Sequence, residues 1–168
     1  YPAAQTIQQA DQLDGASVED LARVITALEN RTAPTSFVNG LRIAASEKKI
    51  DVPVLGITGT GGSGKSSLTD ELILRLRFEF GDSIRIAILA IDPSRRKSGG
   101  ALLGDRIRMN AIEGTSVFMR SLATRTSGLE LPSQLPEIIE ATKRAGYGLV
   151  IVETPGIGQG DSGIVPLV

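Results

Sequence analysis

Hydrophobic positions along the chain recur first with a helical period and later in short, dense blocks. The first fifteen residues are polar and unpatterned. In SVEDLARVITALEN (17–30), Leu21, Val24, Ile25 and Leu28 return at three- and four-residue spacing, which sets them on one face of a helix. Ser17 with Asp20 makes an approximate capping box at its start, Asp standing in for the usual Glu or Gln. TSFVNGLRIAASEKK (35–49) predicts a second, weaker helix interrupted by Gly40. Neither helix carries a set of convergent polar groups. Residues 1–50 are therefore expected to form a polar lead and a helical arm that packs beside the main domain.

From residue 51 the period changes. VPVLGITG (52–59) is a short apolar run bounded by turn residues, the pattern of a buried parallel strand. A helix is predicted over SSLTDELILRLRFEF (66–80), then a strand over SIRIAILAID (83–92). After a stretch rich in glycine and charge come TSVFMRS (115–121), a predicted helix PSQLPEIIEATKRAG (132–146) and a strand YGLVIVE (147–153). Strands alternating with helices predict an α/β fold: a parallel sheet with right-handed crossovers and helices on both faces.

Composition narrows the chemistry. With 168 residues the chain can bury a real core, and its net charge of −1 suggests neither nucleic acid nor an anionic membrane as a partner. No apolar run approaches the roughly 18 residues of a membrane span. The chain has no cysteine, which excludes disulfides and fits a reducing cytoplasm. It also has no histidine, so imidazole catalysis and imidazole-bound zinc are out, and any metal must be a hard one held through oxygen. An opening without Met and a closing GIVPLV read as the ends of a fragment, with the sheet expected to be incomplete at the C-terminus.

GTGGSGKS (59–66) is the strongest motif. It matches G-x-x-x-x-G-K-[ST] and falls between a predicted strand and a predicted helix, where such a loop must lie. Gly59, Gly61, Gly62 and Gly64, with Ser63 among them, let the backbone curl so that successive N–H groups point at phosphate oxygens. The N-terminus of the next helix, at Lys65, Ser66 and Ser67, adds partial positive charge. Lys65 is the candidate catalytic cation for the β- and γ-phosphates, and the Ser66 hydroxyl is a candidate Mg²⁺ ligand. A glycine-rich turn without a ligand is the bland alternative.

One hydroxyl does not hold Mg²⁺ by itself, so carboxylates are needed nearby. Asp92 and Glu153 end predicted strands, and the carboxyl ends of parallel strands form the ligand crevice of an open sheet. Asp105 joins them only if its loop folds back over the phosphates. A turn-forming role before Pro93 is the plain alternative for Asp92. AIDPSRRKSGGALLGDRIRM (90–109) places both aspartates among Arg95, Arg96, Lys97, Arg106 and Arg108 on a glycine-rich arm. That layout suits a switch loop, ordered when its aspartates reach the metal and a cation, Arg108 the best placed, reaches nucleotide. ETPGIGQGDSG (153–163) is a second switch candidate: Gly156 follows the acid by three residues, and Gln159 is a candidate for orienting water.

GITGTGGSGKSSLTDEL, AIDPSRRKSGGALLGDRIRM and ETPGIGQGD together resemble the metallochaperone-type P-loop GTPases that accompany adenosylcobalamin-dependent acyl-CoA mutases. That group holds the methylmalonyl-CoA mutase chaperones and the G-domain of fused isobutyryl-CoA mutase. RSLATRTSGLELPSQLPEII (120–139) resembles the fused form more closely. The resemblance implies that residues 51–168 are the N-terminal part of a P-loop GTPase domain. Its GTP/GDP cycle would gate adenosylcobalamin loading and protect a cobalamin-dependent acyl-CoA mutase, in cis or in trans. It further implies that residues 62–67 cradle phosphates, that Arg108 touches nucleotide, and that Ser66, Asp105 and Glu153 hold the principal Mg²⁺. A second Mg²⁺, which the fused group can carry, would involve Asp92, Thr154 and the Ile91 carbonyl. A homodimer is kept as a candidate assembly.

Parts of that family's pattern are missing from this sequence. The guanine-reading [NT]-K-x-D motif does not occur, nor does the cobalamin-binding D-x-H-x-x-G segment, and a chain without histidine cannot supply the lower cobalt ligand. Adenosylcobalamin is accordingly expected to bind only the mutase part. Pro155 stands where a smaller residue such as Ser is expected, and removes a backbone N–H donor. A P-loop kinase or ATPase using the same Lys65 and Ser66, and a regulatory module that only binds nucleotide, are the competing readings.

Overall fold

The computed structural model of the chain describes residues 10–47, 50–92, 116–124, 131–155 and 159–168, the side chains of Asp11, Asp92 and residues 159–162 excepted. In chain order the elements are α1 (Val18–Asn30), α2 (Thr35–Ser46), β1 (Val54–Ile57), α3 (Lys65–Phe80), β2 (Ile86–Asp92), β3 (Val117–Ala123), α4 (Leu135–Arg144) and β4 (Leu149–Glu153). Short 3-10 segments lie at Ala10–Leu13, Gly81–Ser83 and Gln159–Leu167. The chain divides into two compact units, residues 1–51 with 134–146, and residues 52–133 with 147–168.

The first unit is helical. The Ser17 hydroxyl accepts from the Asp20 N–H at 3.1 Å and lies 2.8 Å from the Asp20 carboxylate, so the expected cap forms. Leu21, Val24, Ile25 and Leu28 are all buried, as their spacing requires. At its far end Arg31 adopts a left-handed conformation and its N–H turns back to Ala27 and Leu28. Gly40 does not interrupt α2, contrary to the sequence reading. The helix runs unbroken because Phe37, Leu41 and Ala44, spaced across that glycine, are all buried, and their packing outweighs one weak position. Across the unit the Arg42 Nε donates to Glu137 Oε1 at 2.6 Å, tying α2 to α4.

The second unit holds the sheet, four strands in the order β1-β4-β2-β3, every pairing parallel. The parallel α/β P-loop architecture and the helical arm expected from the sequence are both present. Of TSVFMRS, to which the pattern assigned no element, the part from Val117 on belongs to β3. Among the described residues β1 is an edge strand, as β3 is at the other side, rather than a fully buried one, and Leu55 is exposed on it. Ile57, Ile86, Ile88, Val117 and Ile151 form the core with Ile73 of α3, joined by the partly buried Leu72 and Leu76. The inward stripe of α3 thus reads Thr69, Leu72, Ile73, Leu76, at spacings of three and four. That stripe pins the start of α3 above the carboxyl edge of the sheet.

Candidate phosphate-binding site

Register sets the geometry of this edge. Ile57 of β1 pairs with Glu153 of β4, which pairs on its other side with Ala90 of β2. Because all three strands run the same way, the residues that follow leave the sheet together. Thr58, Thr154, Ile91 and Asp92 all lie there. Ile91 and Asp92 extend β2 by one and two residues beyond the Ala90–Glu153 pair, and Ile91 is buried.

The loop between β1 and α3 turns on glycines with positive φ: Gly59 at 150°, Gly62 at 77° and Gly64 at 87°. Two of these need glycine for distinct reasons. A Cβ on Gly59 would stand 3.0 Å from the Ser63 hydroxyl, while Gly64 takes its left-handed conformation as the N-cap of α3. The first intrahelical bond of α3 runs from the Leu68 N–H to the Gly64 carbonyl at 2.9 Å. The N–H groups of Gly64, Lys65, Ser66 and Ser67 therefore have no intrahelical acceptor and present donors at the loop. The Lys65 ammonium donates to the Gly59 and Thr60 carbonyls at 2.9 and 3.0 Å, which holds its charge inside the curl. Lys65 and Ser66 are half-buried, and Gly61, Gly62, Ser63 and Ser67 are exposed.

Glu153 binds this loop to the sheet. The Ser66 hydroxyl donates to Glu153 Oε1 at 2.7 Å, and the Thr69 hydroxyl lies 3.4 Å from Glu153 Oε2. Alongside, the Thr154 N–H donates to the Ile57 carbonyl and its buried hydroxyl donates to the Thr58 hydroxyl, both at 3.0 Å. A donor set of one hydroxyl and one carboxylate suits a hard cation. With Mg–O bonds of about 2.05 Å, neighbouring corners of an octahedral shell stand roughly 2.9 Å apart, close to the Ser66–Glu153 separation. The residues present fit Mg²⁺. Among the described residues no cluster of three or more acidic residues could hold a metal, so any further carboxylate must come from elsewhere.

Of the residues expected from the sequence, the fold brings together Gly59, Gly61, Gly62, Ser63, Gly64, Lys65, Ser66, Ser67 and Glu153, with Thr154 and Ile91 at the same edge. Asp105, Arg108 and Gly156 lie outside the described residues, and only the backbones of Asp92 and Gln159 are described. The sequence reading missed Thr58 and Thr69. Thr69 does carry a signal, a polar residue in the otherwise aliphatic inward stripe of α3.

A family model described as methylmalonyl Co-A mutase-associated GTPase MeaB matches residues 21–168. The chain belongs to this family. Family membership and loop geometry thus agree on a P-loop nucleotide-binding domain of the MeaB type. Its relatives include the fused isobutyryl-CoA mutase of Cupriavidus metallidurans, 63% identical over 146 residues that make up 87% of this chain and 13% of that protein. The fused isobutyryl-CoA mutase of Geobacillus kaustophilus is 51% identical over 172 residues, covering 98% of this chain and 16% of that protein. The GTPase ArgK of Escherichia coli is 34% identical over 115 residues, 68% of this chain and 34% of that protein. The chain therefore spans about one seventh of the length of the fused relatives it matches. A crystal structure of a LAO/AO transport system kinase superposes with a TM-score of 0.60 at 28% identity, over 94% of this chain and 45% of that one. The higher identity to the fused mutases than to ArgK bears out the closer resemblance to the fused form read from residues 120–139. Among the described residues no helix is long and apolar enough to cross a membrane.

Proposed function

We propose that this MeaB-family domain binds and hydrolyses GTP with Mg²⁺, and that its cycle gates adenosylcobalamin loading onto an acyl-CoA mutase and protects that mutase. The observation that carries the nucleotide part is the Ser66–Glu153 hydrogen bond at the head of α3, next in sequence to Lys65, whose ammonium is held on the Gly59 and Thr60 carbonyls of the same loop. It assembles a cation, helix N-terminal donors and two hard oxygen ligands at one point. Mg²⁺ bound there would neutralise charge on the phosphates. Ser66 and Glu153 would hold it, with Asp105 for the principal ion and Asp92, Thr154 and the Ile91 carbonyl for a second. Lys65 and the α3 N–H groups would stabilise negative charge on the transferred phosphoryl group, a reaction that depends mainly on positioning and electrostatics.

The partner is read from the relatives. Identity of 51–63% with fused isobutyryl-CoA mutases supports mutase domains in cis, with adenosylcobalamin held by those domains and not by this one. A stand-alone methylmalonyl-CoA mutase chaperone acting in trans is the second reading, supported by the description of the family. The cytoplasm is the proposed location. Fluorescent GDP against fluorescent ADP, each with and without Mg²⁺, tests the nucleotide, and a preference for ADP would move the assignment to a kinase or ATPase. Lys65→Ala should abolish turnover, and Asp92→Ala and Asp105→Ala should each weaken Mg²⁺-dependent binding. Unchanged hydrolysis in both aspartate variants would remove them from the metal site. Delivery of adenosylcobalamin to the mutase that is indifferent to GTP would sink the gating role.

A further inference from the structure

Thr69 stands one turn into α3, is fully buried, and occupies the first position of the stripe that continues as Leu72, Ile73 and Leu76. An aliphatic side chain would pack there as well, so the hydroxyl asks for an explanation. It faces two acceptors: the Lys65 carbonyl at 3.0 Å and Glu153 Oε2 at 3.4 Å. The shorter contact is the ordinary back-bond of a helical threonine. The longer one reaches the second oxygen of the carboxylate whose first oxygen accepts a hydrogen bond from the Ser66 hydroxyl at 2.7 Å.

A carboxylate gripped at one oxygen still turns, because the torsion that orients it is broad and two-fold. A second hydroxyl at the other oxygen restricts that turning, even though its one proton is shared between the Lys65 carbonyl and Oε2 and the arm to Oε2 is the weaker. Ser66 and Thr69, three positions apart on one helix face, meet opposite oxygens of the same group, Ser66 by a full hydrogen bond and Thr69 by the longer arm of a shared one. We infer that Thr69 is a positioning residue: it orients Glu153 so that Oε1 faces Ser66, and so sets the strength with which the pair takes up Mg²⁺. The inference rests on the Mg²⁺–GTP reading above. Thr69 acts through Glu153 and touches neither nucleotide nor metal.

The test uses the full-length protein carrying this domain, with a fluorescent GTP analogue titrated with Mg²⁺. Thr69→Val keeps the branched shape and removes the hydroxyl, and Thr69→Ser keeps the hydroxyl. Thr69→Val should raise the Mg²⁺ concentration at half-maximal binding roughly tenfold, the low end of the usual cost of losing a group that orients a metal ligand. Thr69→Ser should restore the wild-type midpoint. In a Glu153→Gln background, Thr69→Val should add nothing further, since its only route is through that carboxylate. An equal midpoint for wild type and Thr69→Val would overturn the inference while leaving the nucleotide reading intact. So would failure of Thr69→Ser to rescue, or an additive effect on Glu153→Gln. Wild-type protein that binds GTP without regard to Mg²⁺ would bring down the reading itself, and Thr69's role with it. Should Thr69→Val not fold, Thr69→Ala makes the same comparison without steric conflict.

Discussion

The hydroxyl of Ser66 and the carboxylate of Glu153 meet at 2.7 Å across 87 positions of chain, and that contact makes a phosphate loop into a candidate metal site. Removing either partner should therefore look alike. Ser66→Ala and Glu153→Gln are each expected to raise the Mg²⁺ requirement for GTP hydrolysis by roughly tenfold or more. The double variant should fall short of the sum, because the two act on one ion. Hydrolysis rates against Mg²⁺ concentration check this, and independent, additive effects would count against a shared ligand set.

The loop is held in place by packing beneath it. Ile73 is fully buried against Ile57, Ile86 and Ile88, whereas Phe78, one turn further along α3, is 91% exposed. Ile73→Ala should cost about 2–5 kcal/mol of stability. Phe78→Ser should stay within about 0.5 kcal/mol. Chemical denaturation of both variants decides whether α3 is anchored by the stripe described.

In the helical unit, Arg42 donates to the buried Glu137 at 2.6 Å. Arg42→Ala would leave that carboxylate without its partner and should cost roughly 1–3 kcal/mol. Arg42 itself is largely exposed, so replacing both residues by methionine should recover much of the loss, which comes from leaving the buried Glu137 carboxylate without its donor. Equal stability of Arg42→Ala and wild type would show that the pair contributes little.

Tyr147 gives the chain a test at alkaline pH. Burial of its phenol raises the pKa above the ordinary 10.0, and the positive charge of Arg85, 4.2 Å from the ring centre, offsets part of that rise. A folded-state value above the unfolded one means the folded protein holds the proton more tightly. The resulting stability is complete below about pH 10 and is lost as pH rises beyond it. Thermal melts between pH 9 and pH 11 should show a loss of stability that Tyr147→Phe reduces, with absorbance at 295 nm following the phenolate. A fall that is identical in the variant would place the sensitivity elsewhere.

Much of this molecule could be read from local pattern. The α1 stripe and its Ser17 cap, the P-loop between a strand and a helix, and the alternation that predicts a parallel sheet all depend on neighbours a few residues apart. Errors arose where local and distant preferences compete. Gly40 is a weak helical residue, but the burial of Phe37 and Leu41 carries α2 through it. VPVLGITG is apolar enough for an inner strand, yet nothing in a run of that kind distinguishes an inner strand from an edge one. From Val117 on, TSVFMRS pairs with β2, a partner some thirty positions earlier, and that pairing makes it a strand.

By itself, then, the sequence determined most of the elements, the phosphate loop and the absence of imidazole and thiolate chemistry, because these follow from residue type and short-range spacing. It also carried enough of the switch segments to indicate the family. Only the tertiary structure decided the strand order, which sets Glu153 between Ile57 and Ala90. With it came the meeting of Ser66, Thr69 and Glu153 at one edge. Such contacts join residues more than eighty positions apart, and they form only when burial of the aliphatic core brings separate segments into register.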